Sequence, residues 1–137
     1  LCIYSYTGGA TMQIRLSNAS EKPIYEQITQ QIKQAILSGD LKSGDALPSI
    51  RSLAKDLKIS VMTTKRAYTD LERDGFIETV AGKGSYVAER NQDFLREELL
   101  RQIETHLQNA IQTAKTAGMT KQELLELVAL LVEEEME

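Results

Sequence analysis

Basic and hydroxyl side chains are concentrated in the middle of this sequence. Arg51, Lys65 and Arg66 are close in sequence, and Lys83 follows between two glycines. Guanidinium and ammonium groups donate hydrogen bonds to phosphate oxygens and to base edges. From Pro48 to Arg66, five Lys and Arg residues are set against one Asp, a local net charge of +4. Alone, such a stretch is more often a solvated helix face, so the elements that carry it decide the interpretation.

The basic residues fall on two short predicted helices joined by a tight turn. Ser49 favours a helix start, and apolar residues recur at helical spacing from there to Leu57. Residues 58–59 break the pattern, Ser60 caps a second helix, and Gly75 ends it. This arrangement predicts a helix-turn-helix, whose second helix fits the major groove of DNA.

A glycine-rich hairpin is predicted directly after the second helix. Residues 76–80 and 85–88 are short β-like runs, and the turn between them carries Gly82 and, at its tip, Lys83. A basic hairpin in this place predicts a winged helix, whose tip approaches phosphate or the minor groove. Taken alone, the hairpin could equally be a plain surface feature.

The four basic side chains are the main candidates for DNA contact, and the direction of Arg66 depends on the helix phase. Ser49 and Ser60 are interpreted as caps whose hydroxyls also reach phosphate. We expect Tyr25, Tyr68, Leu71 and Phe76 in the core. Phosphate contacts would supply most of the affinity and a steep salt dependence.

Residues for other chemistry are sparse. His106 is the only histidine and Cys2 the only cysteine. A metal site needs more ligands than one histidine, so we expect His106 to be an ordinary surface or interface residue, and the sequence offers no Cys–His or Ser–His–Asp set. Gly82-Lys83-Gly84 lacks the strand-to-helix context of a phosphate-binding loop. We therefore expect no enzyme activity, no cofactor and no metal.

Composition predicts where the protein is found. A single cysteine and no apolar run of about 20 residues favour a cytoplasmic protein rather than a membrane protein. Residues 1–11 lack the basic start and apolar core of a signal peptide, and Met12 is typical of a start position. We interpret residues 1–11 as a non-native or disordered extension.

The remaining chain divides into two predicted domains of opposite charge. Residues 12–90 form the winged helix, with a short strand at Met12–Leu16 and a first helix from Pro23 to about Leu37. Residues 22–90 carry 11 basic and 9 acidic side chains, whereas residues 91–137 carry 4 and 10. The negative net charge of the chain therefore comes mainly from its C-terminal third, whereas the N-terminal domain taken alone is basic.

Residues 91–137 predict a helical dimerisation domain made of two helices. Gly118 separates the helices, and Thr120 with Glu123 has the form of a capping box. Two helices alone cannot bury so many Leu and Val side chains. We expect two chains to pack as a bundle, the alternative being packing on the winged helix of the same chain. The predicted dimerisation residues are Leu99, Ile103, Leu107, Ile111, Leu124, Val128 and Leu131.

Four motifs fall within about residues 22–90: Pro23-Ile24-Tyr25, Leu47-Pro48-Ser49 with Arg51, Tyr68-x-x-Leu71-x-x-Asp74-Gly75 and Gly82-Lys83-Gly84. Together they resemble the GntR family of bacterial transcription regulators. The short C-terminal part is similar to the YtrA-like branch of that family. The resemblance implies a mainly α fold with a small β-hairpin, dimers formed through the C-terminal helices, and repression of operons that include transporters.

The resemblance also implies individual DNA contacts. Arg51, Thr63 and Lys65 match family positions that touch bases or phosphate, and Gly82 matches the wing glycine that enters the minor groove. Positions 61 and 62 depart from the family, which often has an arginine and a hydroxyl residue there. Val61 can contact a thymine methyl but cannot read guanine as an arginine does. The full predicted contact set is Ser49, Arg51, Ser60, Val61, Met62, Thr63, Lys65, Arg66, Gly82 and Lys83.

Two functions remain open from the sequence. The first is a dimeric, sequence-specific transcription regulator that represses its own or a transporter-type operon from a near-palindromic operator on double-stranded DNA. Any small-molecule effector, whose existence and identity the sequence leaves open, would then bind in a crevice of the dimer. The second is a winged helix used as a protein-interaction module, with its basic face on an acidic partner.

Overall fold

The computed structural model describes residues 2–6, 12–89 and 92–136 and forms two compact units, Leu1–Asn91 and Gln92–Glu137. As predicted, the described chain is mainly helical, with small antiparallel sheets. The first unit contains β1 (Cys2–Tyr6), β2 (Met12–Leu16), α1 (Ile24–Ser38), α2 (Ile50–Leu57), α3 (Val61–Arg73), β3 (Ile77–Val80) and β4 (Gly84–Val87). The second contains α4 (Gln92–Thr116) and α5 (Lys121–Glu135).

The N-terminal strands form a two-stranded sheet. β2 alternates buried and exposed residues, as its sequence predicted, and β1 pairs with it antiparallel, Cys2 opposite Leu16 and Tyr6 opposite Met12. The expected disorder is therefore wrong for residues 2–6, where Ile and Tyr favour a strand and β2 offers an edge to pair with. Residues 1 and 7–11 lie outside the described residues.

The core of the first unit lies among α1, α2 and α3. Ile28 and Ile32 of α1, Leu53 of α2 and Leu71 of α3 are completely buried. Gly39 ends α1 in the left-handed conformation with φ 89°, and its N–H donates to the Ile36 carbonyl. Burial of one face of each helix leaves the other faces of α2 and α3 free to carry the basic residues.

The turn between α2 and α3 is closed by a strained residue. Lys58 adopts a left-handed conformation with φ 57°, which L-residues other than Asn and Asp visit rarely. Its N–H donates to the Lys55 carbonyl, and the Ile59 N–H donates to the Ala54 carbonyl. The connection is short because Lys58 accepts this conformation.

The β3–β4 hairpin pairs Ile77 with Val87 and Val80 with Gly84. β3 begins one residue after its predicted start at 76, and β4 is shifted by one residue from the predicted 85–88 to Gly84–Val87. The connector before α2 lies against β4, a contact that the sequence did not predict. The Leu47 N–H donates to the Ser85 carbonyl at 2.9 Å, and the Val87 N–H donates to the Asp45 carbonyl at 2.9 Å. The hairpin is therefore fastened to the start of the helix-turn-helix.

The second unit is two helices joined by a turn at Gly118. The predicted capping box is confirmed, with Thr120 accepting from the Glu123 N–H and Glu123 accepting from the Thr120 N–H. Among the described residues of this unit, Ala114 alone is buried. Neither of these helices, nor any other described helix, has the length and apolar character needed to cross a membrane.

Candidate nucleic-acid interface

The start of α2 places Arg51 on the surface. The Ser49 hydroxyl accepts a hydrogen bond from the Ser52 N–H at 3.0 Å, which confirms the predicted cap. The Pro48 carbonyl accepts a bond of 2.7 Å from the buried hydroxyl of Tyr68 in α3. Since Leu47 is also held by β4, the backbone beneath the exposed Arg51 is fixed from two sides.

The first turn of α3 is closed by hydroxyl groups. Ser60 caps it by accepting from the Thr63 N–H at 3.0 Å, and its own hydroxyl donates to Thr63 Oγ1 at 2.7 Å. The exposed fractions of Val61 and Met62 are 45% and 72%, whereas Thr63 is half-buried. This turn therefore presents two apolar side chains to the outside.

Three of the four predicted basic contacts are free to bind a ligand. Within residues 12–89, the side chains of Arg51, Lys65 and Lys83 are exposed and make no hydrogen bond or ion pair with another side chain. Elsewhere in this unit, Arg73 and Lys33 bind acidic groups at the end of α3. An unpaired surface cation can bind phosphate without first losing an internal partner.

Arg66 is placed differently from the other three. Its guanidinium stacks on the ring of Tyr25, at the start of α1, and donates to the Tyr25 hydroxyl. Sequence reasoning assigned Tyr25 to the core, but the structure leaves it half-exposed as the partner of Arg66. The Pro23-Ile24-Tyr25 motif was the only signal that this tyrosine mattered.

The hairpin turn has a defined backbone. Gly82 has φ 77° and Gly84 has φ 108°, and a Cβ at Gly82 would meet no atom within 4 Å. The positive φ at position 82 therefore favours glycine, and a lack of space for a side chain does not. The Lys83 carbonyl accepts a bond of 3.0 Å from the Tyr86 hydroxyl. Tyr86 supports the basic tip, a role that sequence reasoning missed.

Within residues 12–89, hydrogen bonds therefore connect the predicted contact residues with one another only where they are close in sequence. Ser60 and Thr63 are hydrogen-bonded to each other, and Ser49 caps the turn that carries Arg51. No described hydrogen bond or ion pair connects the tip at Lys83 with Arg51 or with α3. Their common relation is that α2, α3 and the hairpin belong to one compact unit.

The carboxyl group of Asp74, directly after α3, has a shifted pKa. Partial burial would raise the pKa of Asp74, but a hydrogen bond of 2.9 Å from Lys33, the Lys33 charge and nearby Arg73 outweigh it. The pKa of this carboxyl is therefore lowered from its ordinary value of 3.8. This ion pair joins α1 to the end of α3, away from the first turn of α3.

The predicted dimerisation residues lie on the second unit with their apolar side chains partly exposed. The exposed fractions of Leu99, Ile103, Leu107 and Ile111 in α4 are 38%, 53%, 47% and 44%. In α5, Leu131 is 46% exposed, and Leu124 and Val128 are half-buried. In the described part of the chain, no group of acidic, His or Cys side chains could hold a metal ion.

The sequence profile of the gntR family of bacterial regulatory proteins matches residues 24–87, from α1 to β4. Among known proteins, the chain is similar to the HTH-type transcriptional repressor YtrA of Bacillus subtilis (strain 168). The two are 40% identical over 115 residues, which cover 84% of this chain and 88% of YtrA. The similarity therefore extends beyond the winged helix into the second unit.

Solved structures show the same relationship. A GntR family transcriptional regulator from Listeria monocytogenes matches with a TM-score of 0.66 and 34% identity, covering 83% of this chain and 97% of that one. YtrA from Sulfolobus acidocaldarius, described as a GntR-family transcription factor, matches with a TM-score of 0.52 and 36% identity. That match covers 90% of this chain and 100% of the other.

Proposed function

The chain belongs to the GntR family of bacterial regulatory proteins, and on that basis we propose that it is a dimeric repressor that binds a near-palindromic operator. The family and the similar proteins are DNA-binding transcription regulators, not enzymes. One observation supports the assignment of the DNA-binding surface in this chain. Arg51, Lys65 and Lys83 are exposed and unpaired among residues 12–89, on α2, α3 and the hairpin turn.

The role proposed for each contact residue follows from the winged-helix arrangement of residues 12–90. Helix α3 lies in the major groove, with its first turn towards the base edges and Lys65 on phosphate or guanine. Arg51, at the start of α2, binds the backbone, and Gly82 with Lys83 approaches the minor groove. Ser49 and Ser60 add hydroxyl contacts to phosphate beside their caps.

Dimerisation through residues 91–137 is supported by what these helices leave uncovered. A monomer of this kind would expose a stripe of apolar side chains along α4, and α5 has no buried residue. Soluble monomers rarely expose such continuous apolar surface. We infer that a second copy covers it in a helical bundle. Two copies then present two winged helices to the two halves of an operator.

Repression is proposed because the similar Bacillus protein is named a transcriptional repressor. As targets we propose the operon that contains its own gene or a transporter-type operon, as the family resemblance implies. Any small-molecule effector would bind in the crevice between two copies. Within residues 93–136 one side chain alone is buried, so these residues by themselves enclose no pocket.

Fluorescence anisotropy tests this function. Labelled DNA from upstream of the gene is titrated with the purified protein, with and without unlabelled unrelated DNA. Binding that resists the competitor and weakens steeply with salt supports a sequence-specific regulator. If genome-wide selection of bound fragments yields no preferred sequence, the proposal fails and the protein-interaction role of the winged helix takes its place.

A further inference from the structure

In the first turn of α3, the polar side chains form hydrogen bonds within the turn, whereas the apolar side chains are exposed. The Ser60 hydroxyl both accepts from the Thr63 N–H and donates to Thr63 Oγ1. Thr64 is fully buried, with its hydroxyl on the Ser60 carbonyl. Val61 and Met62 are left as the exposed side chains of this turn.

These two side chains do not belong to the core of the unit. Thr64, Ala67 and Leu71 mark the buried face of α3. Val61 lies one turn before Lys65, and the two side chains are neighbours on the helix surface. Met62, 72% exposed, lies beside them. The exposed face of α3 therefore combines a cation with two apolar groups.

The major groove of DNA presents one apolar group that such side chains can contact. Base edges there offer hydrogen-bond donors and acceptors, except for the C5-methyl of thymine. An apolar side chain that enters the groove gains affinity by burying that methyl and loses affinity against an unpaired polar edge. Met62 is also long, flexible and polarisable, which suits contact with a methyl at variable distance.

We propose that Val61 and Met62 make the protein a reader of thymine methyl groups, with Met62 making the larger contribution. This inference rests on the proposed function, because it assigns bases of the operator to the first turn of α3. Lys65 supplies attraction to the backbone or to guanine, whereas the two apolar side chains determine which operator positions must be thymine. Burying one methyl corresponds to about a fourfold change in affinity.

Deoxyuridine substitution tests this directly, because uracil pairs as thymine does and lacks only the methyl. An operator is first defined by footprinting, and each thymine in it is then replaced singly by deoxyuridine. We expect at least one position per half-site at which the replacement lowers affinity about fourfold. Met62→Ala should lower affinity for the thymine operator and abolish the difference between the two DNAs at that position.

Lys65→Ala is the matched control, since it should weaken binding to both DNAs and preserve their ratio. Equal affinity for the thymine and deoxyuridine operators at every position would overturn this inference and leave the regulator intact. A ratio that survives in both Met62→Ala and Val61→Ala would also overturn it, because the methyls would then be read elsewhere. Absence of any preferred operator would instead overturn the proposed function.

Discussion

The guanidinium carbon of Arg66 lies 3.8 Å from the centroid of the Tyr25 ring, and Nη2 donates a hydrogen bond of 3.1 Å to the Tyr25 hydroxyl. The contact joins the first turn of α1 to the middle of α3, although the residues are 41 positions apart in sequence. It fixes the direction of a cation that could otherwise turn towards DNA. Arg66 therefore differs from its neighbour Lys65, which forms no ion pair within residues 12–89.

Arg66→Ala should accordingly weaken DNA binding less than Lys65→Ala does. Its side chain is held on α1, so its removal costs DNA affinity less than about threefold and stability about 0.5–1 kcal/mol, the size of an exposed cation–π contact. Anisotropy and urea denaturation of the two variants measure these effects. An affinity loss as large as that of Lys65→Ala would show that Arg66 leaves Tyr25 when DNA binds.

Asp74 makes the stability of the first unit depend on pH. The pKa of this carboxyl is lowered in the folded state, because Lys33 and Arg73 outweigh the effect of partial burial. A lowered folded pKa gives stability that is present above the unfolded pKa and lost as pH falls through the folded one. The destabilisation caused by Asp74→Asn should therefore be largest near neutral pH and shrink in acid.

Urea denaturation of wild type and Asp74→Asn at several pH values checks this dependence. Lys33→Met serves as the control, since it removes the ammonium 2.9 Å from Asp74 and keeps an aliphatic side chain. In that background the pH dependence of the Asp74→Asn effect should be weaker. A destabilisation by Asp74→Asn that is the same in acid and at neutral pH would contradict the assignment.

The proposed dimer predicts that a charge on the apolar stripe of α4 separates the two copies. Ile103 is 53% exposed in one chain, and Ile103→Glu would bury a carboxylate if a second copy covered it, which is costly without a partner. Sedimentation should show a dimer for wild type and a monomer for Ile103→Glu. Gln112→Glu, an exposed change on the same helix, should leave the dimer intact. A monomeric wild type would contradict the proposal.

Local signals allowed much of this fold to be predicted from the sequence. Ser49, Ser60 and Thr120 cap helices as expected because caps depend on residues two or three positions away. The stacking of Arg66 on Tyr25 could not be predicted, because it needs the packing of α3 on α1. The β1–β2 pairing could not be predicted either, because Cys2–Tyr6 forms a strand by pairing with Met12–Leu16, and a local pattern does not specify that partner.

Two substitutions of Ser60 distinguish its role as a helix cap from a contact with DNA. Glycine is tolerated at a cap almost as well as serine, whereas alanine costs about 1 kcal/mol. Ser60→Gly should therefore keep most of the stability and lose any phosphate contact of the hydroxyl, while Ser60→Ala should lose both. Thermal unfolding and anisotropy of the pair measure the two roles. If Ser60→Gly binds DNA as wild type does, the hydroxyl is a cap only.

The salt dependence of DNA binding by Lys65→Ala tests the central claim most directly. Affinity for the upstream DNA is measured at several salt concentrations for wild type, Lys65→Ala, Arg51→Ala and the control Lys115→Ala on α4. If Lys65 and Arg51 bind DNA, each loss should weaken binding about tenfold and make the salt slope shallower by about one unit. The control should match wild type. Unchanged affinity and slope in both Lys65→Ala and Arg51→Ala would contradict the assignment of α2 and α3 as the DNA-binding surface.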